Sequence, residues 1–241
     1  MRAALPFVLL LAAIATPAAA GDAAELNILG FSRDGRVFAF EEFGIQDGSG
    51  FPYAHRFYID TATDKFLSGT PVRVRIEDEN TGLSVARAEA KRKGEKIIAD
   101  ATLNANRGHS VGANALGEIN ADKARIVVNP RSVFPPIDEP IEFRVEKIPV
   151  DIPERCQDFL EIGGLRALRV RAQDGEATQV LHVDSKIPLS RGCPTGYGVA
   201  AVQTMFPDSG EPVFALVIAV ERIGFEGPDF RYIALTGHID D

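Results

Sequence analysis

A chain of 241 residues with a formal charge of −8 is long enough for one large domain or two small ones. Its acidic and basic residues are dispersed, which gives no electrostatic footprint for nucleic acid and disfavours an anionic membrane surface. Beyond the first twenty residues no stretch is long and apolar enough to span a membrane; the most apolar run, residues 213–220, is strand-sized.

Residues 1–20 read as a secretory signal. Arg2 is a short positive start, residues 7–14 are apolar, and Ala18-Ala19-Ala20 is the small-residue pattern that a signal peptidase cuts. The apolar run falls short of the roughly 20 residues of a membrane helix. We expect cleavage after Ala20 and a periplasmic or extracellular location. Cys156 and Cys193 both lie in the exported part. An even pair there reads most simply as a disulfide, closing a loop of about 38 residues for roughly 4 kcal/mol of stability. A redox or metal pair is the alternative, but there is no C-x-x-C and no His near either Cys.

Residues 26–64 hold the clearest strand and turn logic. Leu26, Ile28 and Phe31 lead to Asp34-Gly35, where glycine supplies the positive φ of a tight turn. Val37 to Phe40 is an apolar strand, Asp47-Gly48 turns the chain again, and Phe57 and Ile59 alternate with Arg56, Tyr58 and Asp60. Residues 71–76 alternate Val72, Val74 and Ile76 with Arg73 and Arg75 on a solvated face. Glu77-Asp78-Glu79-Asn80 places acidic and capping residues ahead of one helix near 80–98. Leu83, Ala86 and Ala90 share its face, and Gly94 ends it unless it runs on to Ile97 and Ile98.

Residues 104–120 read as a loop with room for a short strand. Residues 125–128 form a strand, and Phe134-Pro135-Pro136 cannot lie in a central one. Ile141, Phe143 and Val145 alternate on a half-buried strand, and the two prolines of residues 148–153 make the best linker. In the second half, residues 168–183 read as a hairpin turned at Asp174-Gly175. Residues 198–205, 213–220 and 231–235 give three more strands. Both ends of the exported chain share one order: apolar strand, Glu-x-x-Gly loop, Arg-aromatic strand. The two stretches, VFAF-EEFGI-RFYI and VFALVIAV-ERIGF-RYI, read either as two copies of one β-meander unit or as a chance likeness between hairpins. The expected fold is mainly β, antiparallel meanders in a sandwich-like or propeller-like arrangement with that one helix. We expect a single β-rich domain over 21–241, with halves 21–147 and 154–241 if it divides.

At Phe31-Ser32-x-Asp34-Gly35-Arg36 with Ala39-Phe40, and at Tyr58-Ile59-Asp60-Thr61-x-Thr63, residues 28–64 resemble one blade of TolB-type β-propellers. The whole exported chain resembles a family of predicted secreted bacterial proteins known as a domain of unknown function. That likeness is carried by Gly30-Phe31-Ser32, Gln46-Asp47-Gly48-Ser49-Gly50, Gly69-Thr70-Pro71-Val72, Arg155-Cys156 and the run from Gly224 to Asp229. It implies export and brings no activity, ligand or catalytic residue.

The search for chemistry gives little. There is no Gly-x-Ser-x-Gly, and Ser49 lies in a turn between strands. His55, His109, His182 and His238 show no ligand spacing, and His182-x-Asp184 reads as a solvated pair. Asp47-Gly48-Ser49-Gly50 lacks the acid spacing of a calcium loop. We therefore expect no metal and no cofactor. Glu41, Glu42, Glu221 and Glu226 could serve glycoside hydrolysis if the fold brought two of them together. The aromatic, Gly-rich loops carry Asp47, Phe51, Tyr53, Phe225, Glu226 and Phe230, and form either a recognition surface or small packing cores. The sequence favours a non-enzymatic exported binding or envelope-associated protein with an unidentified protein or small-molecule partner. The alternative is a hydrolase of envelope carbohydrate acting through acidic residues.

Overall fold

The computed structural model describes residues 21–171 and 178–239. The expected signal at 1–20 and the expected turn at Asp174-Gly175 lie outside the described residues. The described strands pair antiparallel into three sheets.

The first sheet contains β1 (Glu25–Phe31), β2 (Val37–Ile45), β3 (Pro52–Asp60), β4 (Lys65–Phe66) and β5 (Val72–Arg75). Its order is β1-β2-β3-β4, and β5 also pairs with the outer edge of β3. Gly35 takes φ 74° in the first turn. The Asp-x-x-Thr turn closes as expected: Thr63 donates both its N–H and its hydroxyl to Asp60 at 2.9 Å. Two helices follow, α1 (Leu83–Gly94) and α2 (Asp100–Ala105). The chain then adds β6 (His109–Ala113), β7 (Arg125–Val128), β8 (Ile141–Ile148), β9 (Gly164–Arg171), β10 (Gln179–Val183), β11 (Pro194–Met205), β12 (Val213–Ile223) and β13 (Pro228–His238). A distal sheet runs β10-β9-β8-β7, and a middle sheet runs β13-β12-β11-β6.

The sheets stack around β12. Every residue from Val213 to Val220 is buried. Val213, Ala215, Val217 and Ala219 pack against Phe38, Phe40 and Phe57 of the first sheet. Phe214, Leu216 and Ile218 pack against Phe143, Val145 and Leu165 of the distal sheet. A strand apolar on both faces can satisfy itself only between two other layers. The linker expected at 148–153 joins β8 to β9, which are hydrogen-bonded neighbours, so the distal sheet crosses that position. The Cys156–Cys193 disulfide pins this connection beside the start of β11, over a sequence separation of 37 residues.

The helix expected near 80–98 is α1, which stops at Gly94, and a short second helix that the sequence reading did not anticipate, α2, begins beyond it at Asp100. Asp78 does not cap α1. It accepts from the Asn80 N–H at 3.0 Å and the Thr81 hydroxyl at 2.9 Å in a preceding turn, and the cap position is Gly82 without a side-chain bond. On β3 the face that carries Arg56 and Tyr58 is buried as well. Arg56 and Tyr58 lie under the helices, with Arg56 gripping Asp100 through two bonds of 2.7 and 3.2 Å. Glu41 joins them, accepting from Arg87 at 2.9 Å, and Arg87 lies 3.7 Å over the Phe43 ring. α1 presents its small residues Ala86, Ala90 and Gly94 to the sheet.

Gly94 sits where no side chain fits. A Cβ there would meet the Tyr58 hydroxyl at 2.1 Å. Alanine favours a helix over glycine by about 1 kcal/mol, but overpacking costs about 1–3 kcal/mol. Gly94→Ala should therefore lower the melting temperature by a few degrees, at roughly 2–4 °C per kcal/mol, as read by calorimetry. An increase would show that α1 can lift off β3.

Candidate functional site

The two aromatic loops do meet. The Glu226 N–H donates to Asp47 at 3.1 Å, and the Phe225 ring lies 3.2 Å from where a Gly48 Cβ would stand. Phe225 is 80% exposed, whereas Tyr53 is only 3% exposed and belongs to the core. The Tyr53 hydroxyl donates to Asp22 at 2.8 Å, and burial pushes its pKa up. Phe51 and Phe230 are half-buried, and the Arg75 guanidinium stands 5.9 Å from the Phe51 ring. Of the four aromatic side chains, only Phe225 is therefore freely presented, and the others pack.

The four singled-out carboxylates part company. Glu41 faces the helices and Glu42 the opposite side of the same strand. Glu221 stands opposite Phe230 on β12, and Glu226 is exposed in its loop.

What the fold builds instead is a groove of about 830 Å³ along the outer edge of β13. One wall is the inner face of β3, β4 and β5, with His55, Phe57, Phe66, Arg73 and Arg75. The other wall carries His182 and Arg191 from the distal sheet and the connection that follows it. Tyr232, Ala234 and Leu235 of β13 lie between them.

A free strand edge needs protection. Here the N–H of Tyr232 donates to Glu42 at 2.8 Å, and the N–H of Thr236 donates to Asp64 at 2.7 Å. Residues 22–24 cover the edge at Phe230, through bonds of 2.9 and 3.1 Å. The N–H of Ala234 points the same way, by the alternation of antiparallel pairing, and among the described residues no side chain caps it.

Both groove histidines are held by carboxylates. His55 Nδ1 lies 3.0 Å from Glu42, its cross-strand partner in the β2–β3 register. His182 Nε2 lies 2.9 Å from Asp184. The expectation of a solvated His182–Asp184 pair is therefore corrected: Asp184 is buried and also accepts from the Leu165 N–H at 2.7 Å and from Arg191. Burial alone would raise the Asp184 pKa, but these donors hold it below the usual carboxylate value.

Six Lys and Arg side chains line the groove against two carboxylates, Glu42 and Asp64. Arg191, Arg222 and Arg231 are paired with Asp184, Asp229 and Asp22. Arg75 reaches Glu77 at the rim. Among the described residues neither Arg73 nor Lys65 forms an ion pair. Sequence reasoning read Arg73 and Arg75 as a solvated face and missed what they face. It also missed the Glu42–His55 pair, for which the hairpin register around Asp47-Gly48 was the available signal. Among the described residues no three His, Cys, Asp or Glu converge as a metal set.

Asp64 carries a testable consequence. Burial raises its pKa, and the two bonds from Thr236 only partly offset this. Its folded form thus favours the proton, so its contribution to stability is lost as pH rises through the folded pKa. Asp64→Asn keeps the acceptor oxygen and tolerates φ 52°. The variant should melt above the natural protein at neutral pH. That advantage should vanish as pH falls below the ordinary carboxylate range. A variant less stable at neutral pH would contradict this reading.

No helix among the described residues is long and apolar enough to cross a membrane. No curated protein and no solved structure matched the chain. The family described as "Predicted secreted protein (DUF2259)" matches residues 39–238, a span that includes β3 to β5, both histidine–carboxylate pairs and all of β13. The chain belongs to this family of predicted secreted proteins of unknown function.

Proposed function

We propose that this is an exported, non-enzymatic binding protein, released to the periplasm or the medium by a cut after Ala20, and that its ligand occupies the groove along β13. The observation that carries the reading is the groove itself. It is of ligand size, and it is lined by side chains from all three sheets. Its histidines and carboxylates are largely spent on fixing the walls and the β13 edge. The contact of the Asp47 and Phe225 loops stands near one end, where Gln46 and Arg75 reach the groove, and exposed Phe225 would extend the surface. A hydrolytic reading rests on one observation, the Glu42–His55 pair, in which the carboxylate orients a ring that could accept a proton. Its mark would be cleavage of envelope sugars that Glu42→Gln abolishes.

The test is a thermal-shift screen of the oxidised chain from Gly21 against calcium, zinc, sugars, organic anions and envelope fragments. A ligand of the folded state raises the melting temperature by mass action. Phe66 is 52% exposed on the groove wall, so Phe66→Asp should abolish the shift and leave ligand-free melting nearly unchanged. Phe225→Ser should weaken the ligand effect with equally little cost in stability. A shift untouched by Phe66→Asp and by Arg75→Asp would place the ligand elsewhere and overturn the reading.

A further inference from the structure

The inner face of the first sheet is chemically graded along the groove. Tyr53 stands opposite Arg75 and His55 opposite Arg73, at one end. Phe57 follows on the same face, and Ile59 stands opposite Phe66. At about 3.4 Å per residue, the His55 row lies about 7 Å from Phe57 and about 14 Å from the Ile59–Phe66 row. One end of the wall is therefore cationic and the middle is apolar. The Phe57 and Phe66 rings are 6.0 Å apart and form one continuous surface.

The charge at the cationic end is not cancelled. Glu42 is committed to His55 and to the Tyr232 N–H, and Asp64 to Thr236. Arg73 has no ion-pair partner among the described residues, in a chain whose formal charge is −8. A guanidinium fork suits a carboxylate or a phosphate, which it can hold through two parallel bonds. The edge of β13 argues against an extended peptide. Along the groove its outward N–H groups at Phe230, Tyr232 and Thr236 already have acceptors, so among the described residues an added strand there would find an open donor only at Ala234.

We infer that the groove takes an amphiphilic anion, a phosphate or carboxylate head on Arg73 beside His55 with an apolar body along Phe57 and Phe66. This rests on the groove being the binding place.

Isothermal calorimetry on the oxidised chain from Gly21 tests it with decyl phosphate, decanoate, decanol and inorganic phosphate, all below micelle-forming concentrations. Decyl phosphate or decanoate should bind saturably. Decanol and inorganic phosphate should each bind at least about tenfold more weakly, the scale of one charge-assisted contact. Arg73→Gln should weaken the anionic amphiphile about tenfold and leave decanol binding unchanged; Arg73 is exposed, so the fold should survive the change. Decanol binding as tightly as decyl phosphate, lost in Phe66→Asp but indifferent to Arg73→Gln, would overturn the anionic head and leave the groove as the site. Binding of decyl phosphate that neither variant alters would overturn both readings. No binding of either anionic amphiphile would overturn the present inference alone.

Discussion

The structure depends on β12 being apolar on both faces. Its Val213, Ala215, Val217 and Ala219 turn to the first sheet and its Phe214, Leu216 and Ile218 to the distal one. At roughly 1.5–3 kcal/mol for each large side chain fully buried, eight consecutive buried residues make this the strongest demand in the chain. No single partner layer can meet it. The middle sheet must be enclosed, and its outer strand β13 is left running between two walls. The groove is the consequence of that enclosure.

Enclosure creates a second problem, which polar residues solve. β13 has a free edge at the bottom of a cleft. Glu42 and Asp64 reach across from the first sheet to occupy its N–H groups, and Asp22 brings the N-terminal residues against Phe230. A carboxylate accepting from a backbone N–H satisfies that donor and blocks further strand addition. The same carboxylates orient His55 and contact Thr236, so edge protection and groove shape share residues. On the opposite face of the first sheet, Arg56, Glu41, Arg87 and Asp100 form a buried charge network under α1. Small residues on that helix let it approach closely enough for the network to close.

Much of this was legible in the sequence. The strands around Asp34-Gly35 and Asp47-Gly48 follow from turn chemistry and alternation, and the disulfide follows from two cysteines in an exported chain. Residues 213–220 declared a buried strand by composition. Their role as the centre of a stack was not legible, because an apolar run does not say how many layers cover it. The burial of Arg56 and Tyr58 was not legible, since alternation reports that the two faces of a strand differ, not whether its polar side chains stay in water. Arg73 was read correctly as exposed. Its place on a groove wall depends on β5 pairing with β3 rather than with its sequence neighbour β4, which no local pattern encodes.

Residue-resolved amide hydrogen exchange on the oxidised chain from Gly21 tests the enclosure of β12 and the open edge of β13 together. The β12 amides should be among the slowest to exchange. On β13, Tyr232 and Thr236 should be protected by their carboxylates, and Ile233 and Leu235 by β12. Ala234 alone among these five should exchange quickly. Equal protection at Ala234 would mean that the edge is covered and the groove closed, and β12 amides exchanging as fast as loop amides would contradict the central claim that the sheets stack around that strand.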